Sequence, residues 1–456
     1  MALDVVFGVV LVLGVMILVH EWGHFIVARL FGVRVDVFSI GFGPRLFGWK
    51  RGATDYRISA VPLGGYVRMA GQDPTEIDSQ GRGLAEKGSQ LPTGAPDELM
   101  SKPRWQRALI SFAGPAVNLI FPVLLLAVYF GTLGIPYPAF EDKPVVVTAI
   151  PGNSPAGAAG LRNGDKVISI NGQSVPNWFE AQKVIGKSDP SGKFSLEVER
   201  GSSRQTIEIP SQPKPIEQTE QILGIFPMKP VLEDVQPGYP AARAGLKEND
   251  VIVGVDGKNI EWWGEFTDRV RGSNGHAVAI DVERGGKPLH LVVTPQAAIN
   301  ERGDTYYQIG VQVHEDTAYR RVSLAESARY AGMVTTETTQ QTISVVARLL
   351  SGRVSVKQLQ SVVGISRAAG QAVHRGAQAV IFLMVMISVN LGILNLLPIP
   401  ILDGGNILLL AIEGSLRRDL SMAFKERFVQ VGLVFLLVLF AYVMYNDVVR
   451  LLPIHS

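Results

Sequence analysis

The sequence predicts a polytopic α-helical membrane protein with four transmembrane helices, a membrane-associated β-hairpin region and two α+β domains outside the bilayer. Three observations predict it. Of the 456 residues 47% are hydrophobic, and that character is gathered into four apolar runs rather than spread evenly. Between the second and third runs lies a stretch of ordinary soluble composition, about 240 residues, enough for two or three small domains. Within that stretch one pattern occurs twice. The chain has no cysteine, which excludes disulfides and thiolate metal ligands. A net charge of +2 offers no bulk argument for nucleic acid.

The first span covers residues 1–31, with an uncharged apolar run from Val5 to Val19. Only Asp4 precedes that run among the charged residues, and no small-residue cleavage site follows it, so it reads as a retained span and not as a removed leader. Residues 32–106 form a β region and loop. Its segments VFSIGFGPRLFGW (37–49) and DYRISAVPLGGYVRM (55–69) read as strands with glycine turns. The second span is 107–134, the third 378–406 and the fourth 428–447, with a helical region over 319–377. Arg29, Arg34, Arg45, Lys50, Arg51 and Arg57 follow the first span, and Lys102, Arg104 and Arg107 precede the second. By the positive-inside rule the 32–106 region faces the cytoplasm, as does the loop with Arg417, Arg418, Lys425 and Arg427. Both termini and the long middle region are then expected outside.

The middle region repeats. PGNSPAGAAGLRNGDKVISINGQSV (151–175) aligns with PGYPAARAGLKENDVIVGVDGKNI (237–260) after one deletion, matching Pro155, Gly160, Leu161, Asp165 and Gly172 to Pro240, Gly245, Leu246, Asp250 and Gly257. Each copy reads as a short helix, a glycine turn, a strand and an Asn-Gly or Asp-Gly hairpin. Leu223-Gly224-Ile225 and Ile309-Gly310-Val311 close the copies. The pattern resembles PDZ domains of bacterial envelope proteases, which implies two PDZ-like periplasmic domains over 145–228 and 231–314 that pair with a peptide strand or screen partners by size.

The chemistry lies in HEWGH, residues 20–24. His20 and His24 stand four apart, so one helix face presents both to one metal ion, and Glu21 beside them can take a proton from a water activated there. Ionisable groups inside a span are costly, which argues against an incidental motif. Zinc with an open position needs a third protein ligand. Leu30 stands where a metzincin would carry it, so it comes from elsewhere, and Asp403 in NLLPIPILDGG (395–405) is the candidate. His20 lies about sixteen residues, or about 24 Å, into a core of about 30 Å, and Asp403 follows its own span to a similar depth.

Taken together, HEWGH, GPAVN (114–118), the two repeats and NLLPIPILDGG resemble the site-2 protease family of intramembrane zinc metalloproteases, in particular its Gram-negative branch that regulates sigma-E. That resemblance implies that His20, His24 and Asp403 bind zinc, that Glu21 is the general base, and that Asn395 and Asn390 hold substrate backbone. It further implies that the strands over 37–69, with Gly64 and Gly65, dip toward the membrane and pair with substrate. The expected substrates are a single-pass anti-sigma factor already trimmed outside, and remnant signal peptides. The expected location is the bacterial inner membrane, with the active site near the cytoplasmic side. A membrane-tethered protease cutting juxtamembrane loops and a non-catalytic PDZ scaffold are the rival readings. One departure is LQSVVGI (359–365), where relatives often carry a Gly-Pro turn.

Overall fold

A computed structural model describes residues 2–72, 93–150, 154–189, 191–211, 219–224, 226–236, 238–299, 305–351 and 362–451. Residues 359–361 of the LQSVVGI stretch, and Ile225 of the first closing tripeptide, lie outside the described residues. The chain divides into two compact units, one of Met1–Ile135 with Arg321–Ser456 and one of Pro136–Arg320.

The first unit is built from α1 (Ala2–Leu30), the hairpin β1 (Val35–Arg51) and β2 (Thr54–Met69), α2 (Arg104–Leu133), α3 (Leu324–Leu350), α4 (Val362–Arg375), α5 (Ala377–Asn395), α6 (Asp403–Leu416) and α7 (Met422–Leu451). Among the described residues four segments are long and apolar enough to cross a membrane: Val5–Leu30, Arg104–Leu133, Ala377–Asn395 and Ala423–Tyr445. Lipid gives little hydrophobic drive for helices to associate, so close packing and interhelical hydrogen bonds must hold them. Val12 and Met16 of α1 pack with Met384 of α5 and Phe121 of α2. Leu126, Tyr129 and Phe130 of α2 pack with Ala331 of α3 and Val385 of α5.

α2 carries two internal prolines, Pro115 and Pro122. A proline has no N–H, so Pro122 leaves the carbonyl four residues back, that of Asn118, without its helical donor. Ser388 of α5 fills the gap, its Oγ donating to the Asn118 carbonyl at 2.7 Å. One turn further along α5, Gly392 lies against Leu119 and the Pro115 carbonyl, where any side chain would separate the helices. A buried unsatisfied carbonyl costs more in lipid than in water, so this bond fixes both register and rotation of α5 on α2.

The hairpin turns at Gly52, whose φ of +63° suits glycine, and its strands pair antiparallel from Val35–Met69 to Arg51–Thr54. Several bulges interrupt the ladder between Val35 and Phe47, and such bulges bend a strand and increase its twist. At the open end Val33, Val35, Phe38, Val67 and Met69 close on Ala28 of α1 and Ile110 of α2. Nearer the turn Leu46, Phe47 and Trp49 are 69%, 64% and 56% exposed.

The third span differs from its sequence-expected range of 378–406. α5 stops at Asn395, residues 396–402 make tight turns, and Asp403 opens a separate helix. Pro398 and Pro400 exclude the helical continuation, since each removes a ladder donor and disfavours helical geometry in the residue before it.

In the second unit the two repeats fold alike. Each has a four-stranded antiparallel sheet of one order: Gln173–Ser174, Lys166–Ile170, Phe194–Arg200, Ser203–Ile209 in the first, and Lys258–Asn259, Val251–Val255, Val278–Arg284, Lys287–Val293 in the second. Pro155 and Pro240 start equivalent short helices. The hairpin turns have positive φ at both central residues, +51° and +75° at Asn171-Gly172 and +49° and +71° at Asp256-Gly257, as the expected two-residue turn requires.

The repeated aspartates are fully buried and explain why the pattern recurs. Arg200 grips Asp165 through Nε at 2.7 Å and a terminal nitrogen at 2.7 Å, and that same nitrogen reaches the Gly160 carbonyl at 2.9 Å. Arg284 does the same to Asp250 at 2.6 and 2.8 Å and to the Gly245 carbonyl at 2.7 Å. The backbone N–H groups of Arg162 and Lys247 add a bond of 2.8 Å to each carboxylate. Burial alone would raise these carboxyl pKa values, but the arginine pair and the N–H outweigh it and hold both below the usual range.

Candidate active site

Helical period aligns His20 and His24, and α2 and α6 complete the cluster. His20 Nε2 lies 3.2 Å from His24 Nε2 and 3.2 Å from Asp403 Oδ2, and His24 Nε2 lies 3.4 Å from Asp403 Oδ1. Ligands arranged tetrahedrally at zinc-like distances of about 2.05 Å stand about 3.3 Å apart, a spacing the two imidazole nitrogens match, while Asp403 turns a different oxygen to each; one ligand atom from each of the three residues lies within 4.8 Å of the others. The site also fits zinc by its donor types, and His20 is only 8% exposed.

An imidazole that binds metal through Nε2 must carry its proton on Nδ1. His24 Nδ1 meets that need by donating to the Ile110 carbonyl at 2.8 Å. Gly114, one turn further along α2, sits under both rings. A Cβ there would overlap His24 Nε2 and come to 2.8 Å from His20 Cε1. Gly23 on α1 is pressed as closely on the α2 backbone, its ideal Cβ falling 3.0 Å from Gly114 Cα. Neither the Ile110 carbonyl nor Gly114 had been assigned a role from sequence, although GPAVN marked the place.

Asp403 is delivered by a strained loop. Ile401 adopts φ +81°, a conformation that costs a β-branched residue of order 1–3 kcal/mol and persists only where the surroundings impose it. The far end of α6 is held by Glu413, which is buried and takes Lys425 of α7 at 3.1 Å with Arg104 and Arg107 of α2 at 3.9 Å. Both ends of the helix that starts with Asp403 are thereby tied to its neighbours.

The remaining expected site residues divide. Asn395, at the end of α5, brings its side-chain amide to 3.4 Å from His20 Nε2. Gly65 pairs with Ile40 in the hairpin, and its ideal Cβ would lie 3.5 Å from Glu21 Cγ, which sets β2 beside the glutamate. The Val67 backbone N–H faces the Glu21 carboxylate. Gly64, at φ +155°, is packed on the Phe42 ring, with no room for a side chain. Asn390 faces α3, its Oδ1 accepting from Thr342 at 2.8 Å.

Residues 8–439 match the profile of Peptidase family M50. The chain is 32% identical over 465 residues to the regulator of sigma-E protease RseP of Escherichia coli K12, covering 97% of this chain and 98% of that one. It is 32% identical over 466 residues to protease RseP of Yersinia pestis, with the same coverage. A Neisseria meningitidis serogroup A protein designated a zinc metalloprotease is 32% identical over 453 residues, 96% of this chain and 97% of that one. Among solved structures, the PDZ domain of the SdrC-like protein from Listeria monocytogenes is 26% identical, covers 18% of this chain and 84% of its own, and has a TM-score of 0.16. The near-complete match over residues 8–439, with the relatives' identity along almost their whole length, shows that the chain belongs to peptidase family M50, the site-2 protease family, and is a zinc metalloprotease.

Proposed function

We propose that the protein hydrolyses peptide bonds within the transmembrane segment of single-pass membrane proteins. The observation that carries this reading is the convergence of Asp403 on His20 and His24, one ligand atom from each within 4.8 Å of the others, where the two histidines stand on a helix of membrane-spanning length and composition. His20, His24 and Asp403 hold the metal. Zinc bound there supplies Lewis-acid activation of a water and polarisation of the scissile carbonyl. Glu21, next along the helix and facing the hairpin, takes the proton from the attacking water and delivers it to the leaving amine. Asn395 donates its amide N–H to the substrate carbonyl oxygen as charge develops on it.

A substrate helix must unwind before its carbonyl is reachable, and unwound backbone in lipid must find hydrogen-bond partners. β2 beside Glu21 offers an open strand edge for that purpose, and exposed Leu46, Phe47 and Trp49 suit a hairpin that meets lipid. The lysine and arginine distribution supports both termini and the two PDZ-like repeats lying on the periplasmic side of a bacterial inner membrane. The repeats would screen the outer part of a substrate by size, admitting an anti-sigma factor once its outer domain has been trimmed, and remnant signal peptides.

The test uses purified wild-type and Glu21→Gln protein with a single-span substrate lacking its outer domain, and maps products by mass spectrometry. A cut inside the hydrophobic span that Glu21→Gln abolishes, with zinc content unchanged, is expected. A cut confined to a soluble flank would establish the membrane-tethered reading instead, and cleavage by Glu21→Gln at wild-type rate would refute the role of the glutamate.

A further inference from the structure

GPAVN ends in an asparagine whose position is unusual. Asn118 is completely buried in α2, and its side-chain Nδ2 lies 3.1 Å from His20 Nδ1 while its Oδ1 has no hydrogen-bond partner. With the amide in that orientation Nδ2 donates to Nδ1, which would place the imidazole proton on Nε2, the atom that faces His24 and Asp403. That tautomer cannot bind a metal through Nε2. Oxygen and nitrogen of an amide are interchangeable by a half-turn about the last side-chain bond and are assigned from their partners. The half-turn resolves both difficulties together: Oδ1 gains a donor, and His20 Nδ1 carries the proton.

We infer that Asn118 is a positioning residue of the metal centre, its amide oxygen accepting from His20 Nδ1–H so that the Nε2 lone pair is held toward the metal. His24 is supported in the same manner by the Ile110 carbonyl, so each imidazole has an acceptor on α2. The Gly114 carbonyl also faces His20, but it is the helical acceptor for the Asn118 N–H, and the side-chain oxygen is the group with no other engagement. Asn118 is itself held in place, since Ser388 binds the carbonyl that Pro122 leaves orphaned. Groups that orient metal-binding histidines in this way commonly contribute 10–100-fold to metal affinity.

The inference rests on the zinc-site reading of His20, His24 and Asp403, and its test reads zinc binding directly. Full-length protein in detergent is stripped with a chelator, and its zinc affinity is measured by competition with a chromophoric chelator for wild type, Asn118→Leu and Asn118→Asp. The leucine variant, similar in size with no acceptor, is expected to lose about 10–100-fold. The aspartate variant restores an acceptor for Nδ1–H and is expected to stay within threefold of wild type. A role in packing alone predicts the opposite order, because leucine is tolerated in a buried apolar site and an unpaired carboxylate is not. Wild-type affinity in the leucine variant overturns the inference, as does a loss beyond threefold in the aspartate variant, which decides alone should the leucine variant not fold. If the wild type itself binds no zinc, the zinc-site reading fails rather than the role of Asn118 within it.

Discussion

Replacing Gly114 by alanine adds one methyl group to the interface of α1 and α2, at the point where both imidazoles rest. The ideal Cβ would lie 2.8 Å from His20 Cε1, against 3.4 Å for ordinary contact, so that ring must retreat by about 0.6 Å, and the His24 ring by more. The His24 ring cannot simply slide away, because its Nδ1 is anchored to the Ile110 carbonyl. A functional constellation tolerates about 0.5 Å of displacement, and about 1 Å can cost 100-fold in rate. Gly114→Ala should therefore weaken zinc binding by about 10-fold or more and turnover by about 100-fold. Helix propensity points the other way, since alanine favours a helix over glycine by about 1 kcal/mol. Zinc competition and thermal unfolding of the metal-free protein, run together, separate the two effects. A variant with wild-type zinc affinity and wild-type cleavage would refute the claim that this glycine is required by the two rings above it.

Loss of a direct ligand should exceed loss of a supporting group, so Asp403→Ala is expected to lower zinc affinity by more than about 100-fold, checked by the same competition. In the second unit, Arg200→Ala leaves Asp165 without its partner and should lower the denaturant midpoint of the first repeat, read by unfolding of the full chain followed at Trp178. The pH dependence follows from the sign of the shift. Asp165 and Asp250 titrate lower folded than unfolded, so their contribution is present above about pH 4, the unfolded carboxylate value, and is lost as pH falls through the folded one. Unfolding midpoints of the second unit should then show no change from these two groups between pH 7 and 5 and decline below pH 4. A decline already complete at pH 5 would contradict the pairing.

What the sequence by itself determined was periodic or local. Four apolar runs of membrane length, two histidines one helical turn apart and two Asn-Gly or Asp-Gly turns each follow from spacing along the chain, and each has its counterpart in the structure. The repeated aspartates were legible, but their partners were not recognised, although Val-Glu-Arg-Gly recurs at 198–201 and 282–285. Which strand residue reaches back to a turn is settled by sheet register, a property of two strands and not of one.

Only the tertiary structure decided how the cluster closes. That Asp403 opens its own helix after a strained Ile401, that Asn390 turns to Thr342, and that the Ile110 carbonyl and Gly114 lie under the imidazoles all depend on where α2, α3 and α6 pack against α1 and α5. A histidine's tautomer depends on an acceptor that stands 86 residues away for His24 and, with the amide turned, 98 residues away for His20. Sequence spacing reports what one element presents on its own face; what meets that face is set by close packing between elements, and there the chemistry of this site is assembled.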